Sequence, residues 1–413
     1  MNAERIVRVE YGDDALQVLA DLLLDQASAE LPDLSRRVVL LAQPGAIARF
    51  QCLLLDSSAR RAIPALIPPE IDTLRVWLRR FAPPCAILSE AERELMLLEA
   101  LGEYPALSAR TGTWPLIHSV LELFDELNLN AGQFPDDLTT LTYRLAKAYG
   151  IDDAAFAPLT NEAQLVYRLW HAWREQLTEL DVLDASQALT GSLEQSLARL
   201  DRAKHIYLVG HVNLSKAERA WAKALLLRGQ LSLIVQGQTG ARGYHPDSPL
   251  TELLSELGAP LAQPAARDGY AQVLDLALSA GDIDLPTRIR TQTALYPNSP
   301  LQDRLHLYEA EHAEDEACAI DLQVRRWWLE GRRDIGIVTN DRKLARRVRA
   351  LLERAHIALH DSAGWPLSTT SAASVLERWL ETIEQGFAHQ PLLDLLRSPF
   401  VRLTDHERQC ETA

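Results

Sequence analysis

No Gly-Lys-Ser/Thr triplet occurs anywhere in the 413 residues. A P-loop needs one, because backbone N–H groups and a lysine hold the phosphates while the hydroxyl meets Mg²⁺. ATP hydrolysis by that device is therefore excluded. No Gly-x-Ser-x-Gly elbow is present, which removes the α/β-hydrolase type of serine nucleophile. The four cysteines, Cys52, Cys85, Cys318 and Cys410, stand far apart without a C-x-x-C pair. That spacing argues against a disulfide framework and against a structural zinc site. No apolar run approaches the roughly 20 residues that cross a bilayer. The opening MNAERIVRVEYGDD has no signal-peptide pattern. The expectation is a cytoplasmic chain that holds no cofactor and meets no membrane.

Positive charge is also in short supply. The 42 basic side chains face 57 acidic ones, for a net charge of −15. A generic nucleic-acid binder carries a basic excess, although a local groove can be basic whatever the total, because the near field follows the distribution of charge. Acidic pairs occur at Asp13-Asp14, Asp136-Asp137 and Asp152-Asp153. None precedes a strand bearing Glu-x-Lys, so they read as solvated caps and turns and not as two-metal nuclease ligands.

Apolar residues are plentiful at 47%, enough for a large core. Residues 1–75 read as the start of an α/β domain, with strands at 6–9 and 38–41 and a helix at 15–24. The second strand runs into AQPGAIARF, the place where a phosphate loop would sit. It is either a degenerate nucleotide site or an ordinary turn. Residues 76–200 are mainly helical, with helices opening at Ser89, at Trp114-Pro115 and near Asn161. Tyr167, Trp170 and Trp173 fall at helical spacing, which favours core packing over base stacking. Residues 204–210 and 231–235 return to strand, around a helix at 216–227 that Ser215 can cap. The first of these strands ends in Val209-Gly210-His211. One imidazole cannot replace a pair of carboxylates around Mg²⁺, so His211 reads as a loop histidine. Residues 241–300, rich in Gly, Pro, Ala and Asp, read as a linker with short helices at 250–257 and 272–278.

The stretch 305–370 carries the most information. It reads as strand (306–309), helix ended by Gly331, strand (335–339), helix capped by Asn340 or Asp341, and a third strand up to Asp361. Strands alternating with helices imply a parallel sheet. The second helix bears Arg342, Lys343, Arg346, Arg347, Arg349 and Arg354, followed by the hydroxyls of Ser368, Thr369 and Thr370. Such side chains commonly meet phosphates; a solvated helix face is the equal alternative.

Several pieces of this stretch occur in a specific order. They are Tyr308-Glu309-Ala310, Glu314-Asp315-Glu316-Ala317, residues 335–339, Asp341-Arg342, Leu344-Ala345-Arg346-Arg347-Val348, and Asp361 with Gly364-Trp365-Pro366-Leu367-Ser368-Thr369-Thr370. In this the chain resembles the second RecA-like domain of superfamily I helicases, and more closely the helicase-like part of the B subunit of AddAB-type helicase–nucleases. The helical block, through WPLIHSVLELFDELNLNAG and NEAQLVYRLWHAWREQLTEL, and LLDLLRSPF near the end, resemble the same family.

The resemblance implies an α/β fold with two RecA-like parallel-sheet domains and a mainly helical insertion. The first domain would be 1–75 plus 201–240, the insertion 76–200, the linker 241–300, the second domain 301–385, and a further helical region would start at 386–413. It implies a non-catalytic, retired motor that binds or channels single-stranded or forked DNA beside an AddA-type helicase/nuclease subunit, in double-strand-break repair. The expected DNA contacts are Arg342, Lys343, Arg346, Arg347, Thr369 and Thr370. Family members continue into a PD-(D/E)XK nuclease, whereas these residues end in TDHERQCETA. Two other classes stay open: a scaffold that docks a protein partner without touching DNA, and a divergent ATPase with an unrecognised loop.

Overall fold

The computed structural model describes residues 5–9, 13–102, 112–130, 135, 137–149, 156–237, 245–259, 284–364, 367 and 370–401, with a few single positions between 269 and 278. The chain divides into two compact units, Met1–Leu305 and His306–Ala413.

The strands of the first unit are β1 (Ile6–Val9), β2 (Arg37–Leu41), β3 (Glu70–Thr73), β4 (Ala86–Ile87), β5 (Val182–Leu183), β6 (His205–Val209) and β7 (Leu231–Gln236). Its helices are α1 (Ala15–Gln26), α2 (Ala46–Arg60), α3 (Leu74–Leu78), α4 (Glu90–Gly102), α5 (Thr113–Asn130), α6 (Leu138–Tyr149), α7 (Phe156–Glu179), α8 (Ala185–Arg199), α9 (Lys216–Arg228), α10 (Ser248–Glu256) and α11 (Leu285–Leu295).

Five strands form one parallel sheet in the order β1-β7-β6-β2-β3. Successive side chains on a strand point to opposite faces, and both faces here are apolar. Val38, Leu40, Ile206, Leu208, Leu231, Leu233 and Val235 meet Trp77, Leu193, Trp221 and Leu250 on one side. Val39, Leu41, Tyr207, Val209 and Ile234 meet Leu19, Leu23, Phe50 and Leu54 on the other. This double cover is why the strands read as continuous apolar runs and not as alternating ones.

Helices α4, α5 and α7 share a separate core of Leu97, Leu101, Ile117, Phe124, Trp170, Trp173 and Leu177. Trp170 and Trp173 are buried against Phe124, with ring centroids 5.3 and 5.8 Å away, so both are packing residues. The Ser89 start is built as its sequence suggests. The Glu92 carboxylate accepts the Ser89 N–H at 2.7 Å, and the Glu92 N–H reaches Ser89 Oγ at 3.3 Å. Most of 272–278 lies outside the described residues.

His205, at the start of β6, sets a pH response. Its Nε2 lies 2.9 Å from Ser232 Oγ. Burial first, then Arg37 and Arg5, push its pKa down to about 4. An unfolded histidine titrates near 6.5, so between those values the unfolded chain holds a proton that the folded chain does not. Stability is therefore lost as pH falls from about 6.5 to about 4, by on the order of 2–3 kcal/mol, and levels off below. Urea unfolding of wild type and His205→Gln at pH 7 and pH 4.5 tests this. The stability gap between them is expected to shift in favour of the variant at the lower pH; a constant gap would rule the assignment out.

The second unit contains α12 (Ala313–Leu329), α13 (Arg342–Arg354), α14 (Ser371–Glu384) and α15 (His389–Leu396). Helices α12 and α13 pack through Ala317, Val324, Leu344, Val348, Leu351 and Leu352. Asp341 caps α13, accepting from the N–H groups of Lys343 and Leu344. Gly331 ends α12 in the left-handed region at φ 86°.

The expected second sheet is not formed. No strand occurs among the described residues of this unit, and the segments 306–309, 335–339 and 357–360 run without ladder partners. Ile335, Ile357 and Leu359 pack on the α12–α13 pair, but Leu307 and Val338 are each 98% exposed. A parallel sheet needs cover on both faces, and here these two side chains have nothing over them. Among the described residues the ladders all lie in the first unit, in the five-stranded parallel sheet and a short parallel pair of β4 with β5, in place of the expected two domain sheets.

Candidate nucleic-acid interface

The carboxyl ends of β2 and β6 are where an open parallel sheet binds ligands. The chain leaves β2 toward β3 and leaves β6 toward β7, in opposite directions along the sheet, which makes a topological switch point. The residues there do not build a phosphate cradle. Pro44 has no N–H to offer. The Ala42 N–H donates to Val209 O at 3.1 Å, and those of Ala46 and Ile47 turn back to Gln43 O and Pro44 O at 3.2 and 3.1 Å. Gly45 lies in the ordinary right-handed helical region, at φ −61°. The loop after β2 is thus an ordinary helix entry.

On the β6 side, burial lowers the pKa of His211, opposed by Glu218 and by the backbone of Leu41 and Leu40. Its Nε2 is buried without a hydrogen-bond partner. No group of three or more His, Cys, Asp or Glu side chains able to hold a metal comes together among the described residues. Two further helix N-termini of this unit are closed by their own side chains: Asp14 caps α1, and Ser215 with Glu218 forms a reciprocal capping box on α9.

The basic residues of α13 divide into two sets. Arg342 donates to both carboxylate oxygens of Asp361, at 3.3 and 3.2 Å, and to Gly364 O at 2.8 Å. That hydrogen bond is the main reason the Asp361 carboxyl sits below its ordinary value. Arg347 grips Glu314 on α12, with Nε 2.7 Å from Oε2, and lowers that carboxyl in the same way. Arg349 pairs with Glu353 at 2.7 Å. These three arginines are committed within the unit.

Lys343, Arg346 and Arg354 form the other set. All three are exposed. Among the described residues none has a carboxylate partner within ion-pair distance, and Arg346 makes a helix-type bond from Nε to Arg342 O at 3.1 Å. At 3.6 residues per turn they fall within about 80° of one another around the helix axis, with the exposed Ala350 between them. They make a cationic stripe roughly 16 Å long at 1.5 Å per residue.

Of the six expected contacts, Lys343 and Arg346 are free to meet phosphate. Arg342 and Arg347 hold the unit together. Thr370 caps α14, accepting from the Ala373 N–H at 3.1 Å and donating to Leu367 O at 2.7 Å, so its hydroxyl hydrogen is in use. Thr369, with Trp365, Pro366 and Ser368, lies outside the described residues. Arg354 is absent from the expected set, although its spacing of eleven from Lys343 returns it to the same face; a helical projection of the sequence would have found it. The pairing of Arg347 with Glu314, 33 residues away, has no local signal.

Comparison with models of known protein families and with curated proteins finds no match. No helix among the described residues is long and apolar enough to cross a membrane.

Proposed function

We propose that this chain is a non-catalytic, helicase-like DNA-repair protein. It binds or channels single-stranded DNA beside an AddA-type helicase subunit, in a complex that processes double-strand breaks. The observation that carries the reading is the stripe of Lys343, Arg346 and Arg354, three exposed cations without acidic partners on a chain of net charge −15. Phosphate contacts of this kind supply affinity without reading sequence. A parallel sheet whose loop after β2 builds no phosphate cradle is in keeping with a motor that no longer turns over ATP.

The scaffold reading has one observation of its own. Leu376, Trp379, Leu380 and Ile383 on α14, with Phe387 beyond it, form an apolar stripe that is about half exposed. Contiguous patches of this sort mark contact surfaces, and a subunit can use one face for a partner and another for DNA.

The experiment is a thermal melt and a strand-binding titration, each with and without millimolar Mg-ATP. Neither the melting temperature nor the affinity for a single strand is expected to change. A saturable rise in melting temperature would replace this reading with that of a divergent ATPase.

A further inference from the structure

The C-terminal end of α12 carries an arrangement that the cationic stripe does not use. Its sequence is Arg325-Arg326-Trp327-Trp328-Leu329-Glu330-Gly331-Arg332-Arg333. The Gly331 turn brings the chain back over the helix end, where the Arg332 N–H bonds Trp327 O at 3.0 Å. Arg333 Nη1 then donates to Trp328 O at 2.9 Å and to Arg332 O at 3.2 Å. These bonds fix the Arg333 guanidinium 4.1 Å from the centroid of the Trp328 ring. Arg332 lies 5.7 Å from the Trp327 ring.

Trp328 remains 38% exposed with Arg333 in place, so part of its π surface is open to solvent. A buried tryptophan would belong to the core, as Trp170 and Trp173 do. Trp328 is excluded from the α12–α13 core, which takes Ala317 and Val324 from its helix. Charge at this end is positive. Glu330 is shared between Arg326 and Arg332, at 3.2 and 3.5 Å. Among the described residues Arg333 has no carboxylate partner within ion-pair distance, and Arg326, Arg332 and Arg333 outnumber Glu330 and Asp334 here.

We propose that Trp328 and Arg333 form a stacking platform for an unpaired nucleobase of a single-stranded nucleic acid. A base would lie on the open indole face or on the outer face of the guanidinium, both of which stack bases. The pair is pre-ordered by backbone bonds, so little rotamer freedom is lost on binding. The Arg333 guanidinium, beyond the C-terminus of α12, would meet the adjacent phosphate. Every base has a π face, so the platform is indifferent to sequence. This rests on the single-strand reading above and adds to it a contact with bases, where the stripe contacts only phosphates.

The test compares labelled oligothymidylate of twelve nucleotides with an abasic strand of the same length, on the full chain. Wild type is expected to bind the thymidylate strand about tenfold more tightly, the scale of one stacked base. Trp328→Ala should erase that preference while leaving the salt dependence of thymidylate binding unchanged, because stacking releases no counterions. Arg333→Gln should weaken the preference and also lower the salt dependence, by about 0.7 in logarithmic slope for one phosphate contact. Circular dichroism confirms that each variant is folded, and Trp328→Phe should retain part of the preference if it is. Equal wild-type affinity for the two strands, or a preference that survives Trp328→Ala, would overturn the platform and leave the single-strand reading standing. Failure of wild type to bind either strand would overturn both.

Discussion

Reversing three charges together, in Lys343→Glu, Arg346→Glu and Arg354→Glu, is expected to weaken single-strand binding by about 100-fold or more at low salt. These side chains have no acidic partner among the described residues, so their replacement removes phosphate contacts without breaking an ion pair; the one internal bond lost is that of Arg346 Nε to Arg342 O on the same helix. The logarithmic salt slope should fall by about 2, since each single-strand contact contributes about 0.7. The paired arginines supply the control. Arg342→Gln and Arg347→Gln break the links to Asp361 and Glu314, so they should lower the stability of the second unit and leave the affinity of the folded protein nearly unchanged. An unchanged affinity in the triple variant would remove the stripe as the interface. A large loss in the paired-arginine variants at constant stability would move the interface to the face they occupy.

The second large effect lies in the first unit, at a buried charge cluster. Asp184 is fully buried and caps α8. One of its oxygens lies 2.7 Å from Arg93 Nε; the other accepts Arg93 Nη2 at 3.4 Å and Trp173 Nε1 at 3.1 Å. Arg93, itself buried, also reaches Asp125 at 2.8 Å. The cluster ties α4, α5, α7 and α8 together. Burial raises the Asp184 pKa, and Arg93 is the largest influence acting the other way. Because burial wins, the pair is no large net source of stability, but orphaning either partner is costly.

Asp184→Ala should therefore destabilise the first unit by about 2–4 kcal/mol, toward the lower side of what an orphaned buried charge costs, because Arg93 keeps Asp125 as a partner. It also removes the acceptor for Trp173. The double variant Arg93→Met with Asp184→Asn removes both charges; its single carbonyl oxygen keeps either the cap to the Ala185 N–H or the acceptor for Trp173, so it should recover part of the loss. Tryptophan fluorescence in urea gives the comparison, since Trp173 sits in the cluster. A loss below about 1 kcal/mol for Asp184→Ala would mean that water reaches the site and that the cluster does not hold the helices.

What could be read in the sequence was mostly local. The strands at 6–9 and 205–209 are short apolar runs between turn residues, and the Ser89 and Ser215 caps follow from spacings of three residues. β3 was missed because Glu-Ile-Asp-Thr has little apolar character. It forms as an edge strand paired only to β2, with every residue partly exposed. The segments at 306–309 and 335–339 had the right composition for strands, yet pairing is a non-local property and no ladder forms. Likewise a run of arginines on α13 was visible, but which of them were free depended on Glu314 and Asp361, carboxylates brought in by the fold. Trp328 shared its helix with core residues, and only the packing shows that it faces outward.

The most direct measurement is the anisotropy of a labelled single-stranded oligonucleotide titrated with the full chain, at low and at physiological salt. Saturable binding that weakens steeply with salt, and is the same with and without Mg-ATP, is the expected result. No binding at either salt would contradict the account and leave the scaffold reading in its place.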